Sequence, residues 1–154
     1  MKGDSNMNFR LFLAQLILYA MNIKDLHWLA HGDEFDAVHN GLTNDYHEKL
    51  CEDVDYIAEA LMRNGEEPLN LPEVHELIAS ANRKFIVVHT DRYYNKEEVY
   101  NICQKMLEDI KLSIEYLIKT IEGDIKQVGI KSTLEGMHEW YDLQVRFLNH
   151  RRIV

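Results

Sequence analysis

The sequence predicts an all-α protein, a four-helix bundle with one long crossover between its second and third helices. Three observations lead there. Apolar residues recur at helical spacing along four long stretches. Only two prolines and seven glycines break up 154 residues. The stretch that holds both prolines sits mid-chain, where a bundle with a single long connection would place it. With 46% apolar residues and both signs of charge, the chain is long enough to bury a core, and one domain spanning 1–154 is expected.

The first helix is expected from about Asn8 to His31, on a stripe of Phe9, Leu13, Leu16, Ala20 and Ile23, with Gln15 and Asn22 turned away from it. Gly32 suits the position just past its end. The second helix starts after Asp33, a suitable N-cap, and runs to about Asn64, where Gly65 ends it; its stripe is Leu50, Val54, Ile57 and Leu61. The connection from Glu66 to Asn95 holds Pro68, Pro72 and a short helix near Glu73 to Ala81. Within it FIVVH, Phe85 to His89, has strand composition, but a lone strand would lack a pairing partner, so it reads as extended crossover. The third helix covers roughly Lys96 to Ile121, with Val99, Met106, Ile110 and Leu117 inward and Glu108 and Glu115 outward. EGDIKQVG then turns the chain into a fourth helix from about Ile130 to Arg151.

Charge and cysteine usage narrow the function. A formal net charge of -9 argues against a general nucleic-acid binder, since phosphate affinity comes mostly from clustered Lys and Arg. Arg146, Arg151 and Arg152 match the dipole of a helix C-terminus, and MKGDSN brings one lysine ahead of the first helix, so DNA binding is not expected. Cys51 and Cys103 form no CxxC, and no signal peptide precedes the first helix, which points to a reduced, cytoplasmic setting. The apolar run LFLAQLILYAM is interrupted by Gln15 and too short to span a bilayer.

A di-iron site inside a helix bundle needs acids on the inward stripes, with a Glu-x-x-His pair on two of the helices. Here the stripes of the first and third helices carry none. Glu135-Gly-Met-His138 on the fourth has the right spelling and remains an alternative metal pair. On the second helix Asp55 and Glu59 project away from the stripe, as a solvated acidic face or as ligands of a site that faces outward. His47, Cys51, Asp55 and Glu59 recur every fourth residue, a line of donors that could also hold zinc or another transition metal.

The combination HWLAHGDEFDAVH followed by DYIAEALMRNG resembles the Dps family of mini-ferritins within the ferritin-like superfamily. Its pattern falls on His27, Trp28, Gly32, Phe35, His39, Asp55, Ala58, Glu59 and Gly65. The resemblance implies a ferroxidase whose iron site lies between subunits: His27 and His39 from one chain, Asp55 and Glu59 from its two-fold partner. It further implies oxidation of ferrous iron by peroxide or dioxygen, storage of ferric mineral in a hollow homododecamer, and Trp28 beside the site as a quencher of radical by-products or as interface packing. Glu122 and Asp124 are candidates for the route by which iron enters, with Lys126 opposing it. A ferritin-like scaffold that has lost the chemistry is the main competing reading.

The step from His39 to Asp55 is one residue longer than the family's usual spacing, and one extra residue rotates a regular helix by about 100°. Phe35, Val38 and Leu42 share one angular sector, and Leu50, Val54, Ile57 and Leu61 share another, offset by about the same angle. The offset predicts a one-residue π-type bulge between about Leu42 and Leu50, eased by Gly41, a type of irregularity found often at functional sites.

Overall fold

The computed structural model describes residues 7–33 and 35–152, the Arg152 side chain excepted. The MKGDSN segment used above against DNA binding lies outside them. Helix α1, Phe9–Leu29, starts at Asn8, whose side-chain oxygen accepts the Leu11 N–H at 2.9 Å, a cap that stabilises by about 1 kcal/mol. It ends two residues before the expected His31 because its exit pairs with the crossover. The Leu29 carbonyl accepts the Tyr94 N–H and the Tyr94 carbonyl accepts the His31 N–H, each at 2.9 Å. Gly32 then turns the chain at φ +92°, a conformation open to glycine at little cost.

The second helix enters through a π-helical turn, Ala37–Leu42, and continues as α2, Thr43–Arg63. The bulge thus exists, but it lies upstream of the expected Leu42–Leu50 window, with Gly41 inside it. Its position follows from Thr43. The Thr43 N–H reaches back five residues to the Val38 carbonyl, and its buried hydroxyl donates to the Val38 and His39 carbonyls at 2.8 and 3.0 Å. The extra residue realigns the two apolar sectors as anticipated: Val38 and Leu42 are buried together with Leu50, Ile57 and Leu61, while Val54 is half-buried and Phe35 exposed.

In the crossover, α3, Leu71–Ser80, begins two residues earlier than expected because Pro72 fits a first helical turn and Asn70 and Glu73 form a capping box. FIVVH runs extended with no neighbouring strand among the described residues, and helix side chains stand in for one. Asn22 Nδ2 donates to the Ile86 carbonyl at 2.8 Å, Asn22 Oδ1 accepts the Val88 N–H at 3.2 Å, and the Tyr19 hydroxyl accepts the Ile86 N–H at 3.3 Å. This corrects the expectation that Gln15 and Asn22 face away from the packing. Both are buried, Gln15 between Ser113 and Asp109, because α1 is covered by α2, α3 and α4 rather than on one face alone.

Helix α4, Lys96–Thr120, starts at a second capping box of Asn95 and Glu98. A short 3-10 turn, Ile125–Gln127, leads into α5, Val128–Arg152, two residues ahead of the expected start. Short connections join α1 to α2 and α4 to α5, which makes each an antiparallel pair. These pairs form the bundle, and one apolar cluster runs through all four long helices. Among the described residues no helix is long and apolar enough to cross a membrane.

Candidate metal centre

The last turn of α1 carries His27 and the π-turn carries His39. The structure lays their rings against each other, centroids 3.7 Å apart and planes 18° from parallel, with Phe35 stacked on the other face of His39 at 4.7 Å. A bulge at this point re-aims His39 toward the end of α1. Without it the ring would be rotated by about 100°.

The hydrogen bonds assign a tautomer to each ring. His39 Nδ1 lies 2.7 Å from the His27 carbonyl, which only accepts, so Nδ1 carries the proton. That carbonyl is one of the orphans at the end of α1. His27 Nδ1 lies 3.0 Å from the Thr43 hydroxyl, whose own proton is directed to the Val38 and His39 carbonyls; the hydroxyl therefore accepts from His27. Both imidazoles keep a lone pair on Nε2, the arrangement in which a second partner on Nδ1 orients a metal-binding histidine. Burial, with His39 beside it, holds His27 below the ordinary histidine range, which favours the neutral ligand form.

Asp55 and Glu59 are exposed one turn apart on the outer face of α2, as their helical angles require. Within one chain the structure brings His27 and His39 together and leaves the two carboxylates elsewhere: among the described residues no three His, Cys, Asp or Glu side chains group around a point that could hold a metal. Trp28 is 57% exposed next to this pair, with the Lys24 ammonium 5.9 Å from its ring, an unusual position for an indole in a folded chain.

The alternative donors are placed as follows. Glu135 and His138 line a cleft of about 320 Å³ between α4 and α5 with Glu115, and His138 Nε2 is 3.7 Å from the Glu115 carboxylate. Glu122 and Asp124 are exposed around Gly123, and Asp124 accepts the Lys126 N–H at 3.0 Å. His47 and Cys51 touch along the outward stripe of α2. Burial lowers the His47 imidazole and raises the Cys51 thiol, the latter opposed by Lys24.

Sequence reasoning missed one buried acid. Asp53 is 4% exposed, accepts a hydrogen bond from the Tyr141 hydroxyl at 2.5 Å and pairs with Lys49 at 3.0 Å. Burial raises its carboxyl above the usual range despite both partners. Its two oxygens accept from protein groups, so it ties α2 to α5 rather than offering a free ligand. The available signal was a second polar residue two positions before Asp55, which periodicity alone places inward.

No protein-family model and no curated protein matches the sequence. Solved structures do match in shape. The antigen TpF1 from Treponema pallidum superposes with a TM-score of 0.84 at 17% identity, covering 99% of this chain and 95% of that one. A Dps protein from Vibrio cholerae O1, described as a member of a broad superfamily of ferritin-like diiron-carboxylate proteins, gives 0.81 at 16% identity with 97% and 90% covered. Dps from Staphylococcus aureus gives 0.79 at 16% identity with 95% and 93% covered. With its helix order, its crossover and these superpositions together, the chain has the fold of a Dps-like mini-ferritin, a ferritin-like four-helix bundle.

Proposed function

We propose that the protein is an iron-storage mini-ferritin that oxidises ferrous iron at sites shared between two subunits, His27 and His39 from one and Asp55 and Glu59 of the partner subunit. The observation that carries this reading is the stacked histidine pair, with both Nδ1 atoms occupied and both Nε2 lone pairs available. Two imidazoles are half of a coordination shell, and they sit beside an exposed tryptophan. Two carboxylates one turn apart on the same chain face outward and supply the other half from a second copy.

The donor set suits the substrate. Carboxylate oxygens are hard ligands for ferrous and ferric iron and imidazole is intermediate, and few protein ligands leave positions for an oxidant. Each ferrous ion gives up one electron, so two of them reduce one peroxide. Trp28, the exposed neighbour of His27 in sequence, would intercept a radical that escapes that step. A closed oligomer, by analogy a dodecamer, would then enclose the ferric product.

Ferrous oxidation followed spectroscopically, together with the native mass, tests the reading. The wild type should form a closed oligomer and oxidise iron well above the buffer rate. Asp55→Asn with Glu59→Gln should slow oxidation by more than the about 10- to 100-fold that loss of a group merely orienting a ligand costs, with the oligomer intact. A wild type that is monomeric, or that oxidises iron no faster than buffer, leaves a bare scaffold as the answer.

A further inference from the structure

His47 and Cys51 lie one turn apart on the same stripe of α2 as Asp55 and Glu59. Cys51 Sγ is 3.6 Å from His47 Nε2 and 3.8 Å from Nδ1. With Zn–S of about 2.3 Å and Zn–N of about 2.05 Å at a tetrahedral angle, the sulfur-to-nitrogen edge of a zinc site is about 3.6 Å. The two donors therefore already stand at the spacing of one such edge. One chain supplies that edge only, since among the described residues no third donor joins them.

Symmetry provides the other edge. If His39 meets Asp55 and Glu59 of the partner subunit, the two-fold axis makes the partner's His39 meet Asp55 and Glu59 in return. The two α2 helices then run antiparallel across the axis. Halfway between His39 and Asp55 lies His47, and halfway between His39 and Glu59 lies Lys49. The axis thus passes α2 within about one turn, ~6 Å of helix, of both His47 and Cys51. Residues four apart are neighbours on a helix surface, and the row from Glu59 through Asp55 and Cys51 to His47 turns by about 40° per step, so it crosses the helix obliquely, with Cys51 beside Asp55 and His47 one step beyond toward the two-fold axis.

We propose that His47 and Cys51, with His47 of the partner subunit and Cys51 of the partner subunit, form a tetrahedral Cys2His2 site for a zinc ion on the two-fold axis. This rests on the intersubunit iron reading, which fixes how the two helices lie. Four protein ligands close the shell, so the zinc is structural, and two thiolates cancel its charge at an interface between chains that each carry a net charge of -9. It clamps the dimer whose two iron sites flank it.

Cobalt(II) is the probe, added to the reduced, full-length protein after metal removal. The expected result is a thiolate-to-cobalt charge-transfer band with tetrahedral ligand-field bands, saturating at one cobalt per two chains and displaced by zinc. Cys51→Ser should abolish the charge-transfer band and His47→Ala should weaken cobalt binding at least about tenfold, whereas Asp55→Asn with Glu59→Gln should leave the band in place. Absence of the band, saturation at one per chain, survival of the band in Cys51→Ser, or oxidation that yields only a Cys51 disulfide overturns the zinc site. Iron oxidation and native mass of the same preparation separate the two ideas. An active oligomer without the band overturns the zinc site alone, while a monomer lacking both activity and band overturns the iron reading with it.

Discussion

Thr43→Val removes one hydroxyl and keeps the shape of the side chain. Thr43 is fully buried, and that hydroxyl serves three groups: it donates to the Val38 and His39 carbonyls and accepts the His27 Nδ1–H. The Val38 carbonyl keeps the Thr43 backbone N–H. The His39 carbonyl loses its side-chain partner and the His27 N–H loses its acceptor. A neutral hydrogen bond contributes about 1 kcal/mol net, and an unmet donor costs about 1–3 kcal/mol, toward the lower end for the half-buried His27 ring, so the variant should be destabilised by about 2–3 kcal/mol in urea unfolding. The effect on iron should be as large. Loss of the group that orients a ligand histidine typically costs about 10- to 100-fold in metal affinity, and the ferrous dissociation constant should rise by that factor. Thr43→Ser, which restores the hydroxyl, should recover most of the affinity. A Thr43→Val protein that binds ferrous iron like the wild type would refute the claim that this hydroxyl sets the His27 tautomer, even if stability falls.

Two further substitutions test parts of the fold that hold the site. Asn22→Leu should destabilise by about 2–6 kcal/mol, because the Ile86 carbonyl and the Val88 N–H would both lose their partner, each at about 1–3 kcal/mol; faster amide exchange at Val88 would report the same loss locally. Asp53→Asn tests the buried carboxyl through pH. Asp53 has a folded value above its unfolded one, so its contribution is most favourable below the unfolded value of about 3.9 and is lost as pH rises through the folded value. The asparagine variant does not titrate, so its stability relative to wild type should be greater at pH 7 than at pH 4; a gap that stays constant or shrinks would contradict the assigned shift.

What could be read from the sequence depended on how far away the deciding partner lay. The end of α2 at Gly65 is written locally, in a residue that takes positive φ, whereas α1 stops at Leu29, short of Gly32, because its exit pairs with the distant Tyr94. The outward direction of Asp55 and Glu59 follows from spacing along a single helix. Gln15 and Asn22 were misplaced because what makes them inward lies 64 to 98 positions away, in Ile86, Val88 and Ser113; a stripe drawn on one helix cannot reveal that its other side is covered by a crossover. Asp53 differs: its spacing from Leu50 and Ile57 places it inward on the helix itself, and only its partner Tyr141, 88 positions off, is out of sight of a single-helix reading. The bulge lies between these extremes. Two offset apolar sectors require one extra residue somewhere after Phe35, but its location at Ala37–Leu42 is set by the reach of the Thr43 hydroxyl, which only the folded helix displays. The stacking of His27 on His39 depends on that same turn.

The central claim is that each iron site needs two chains, and subunit mixing tests it most directly. One variant, His27→Ala with His39→Ala, keeps the carboxylates; another, Asp55→Asn with Glu59→Gln, keeps the histidines. Each alone should be inactive in ferrous oxidation. When the two are unfolded together and reassembled at equal amounts, half of the dimers pair one of each, and in every such dimer one of its two sites regains all four ligands. Oxidation at about a quarter of the wild-type rate is therefore expected from isologous two-fold pairing. A mixed assembly as inactive as its parents, formed from chains whose wild type oxidises iron, would contradict a site shared between subunits.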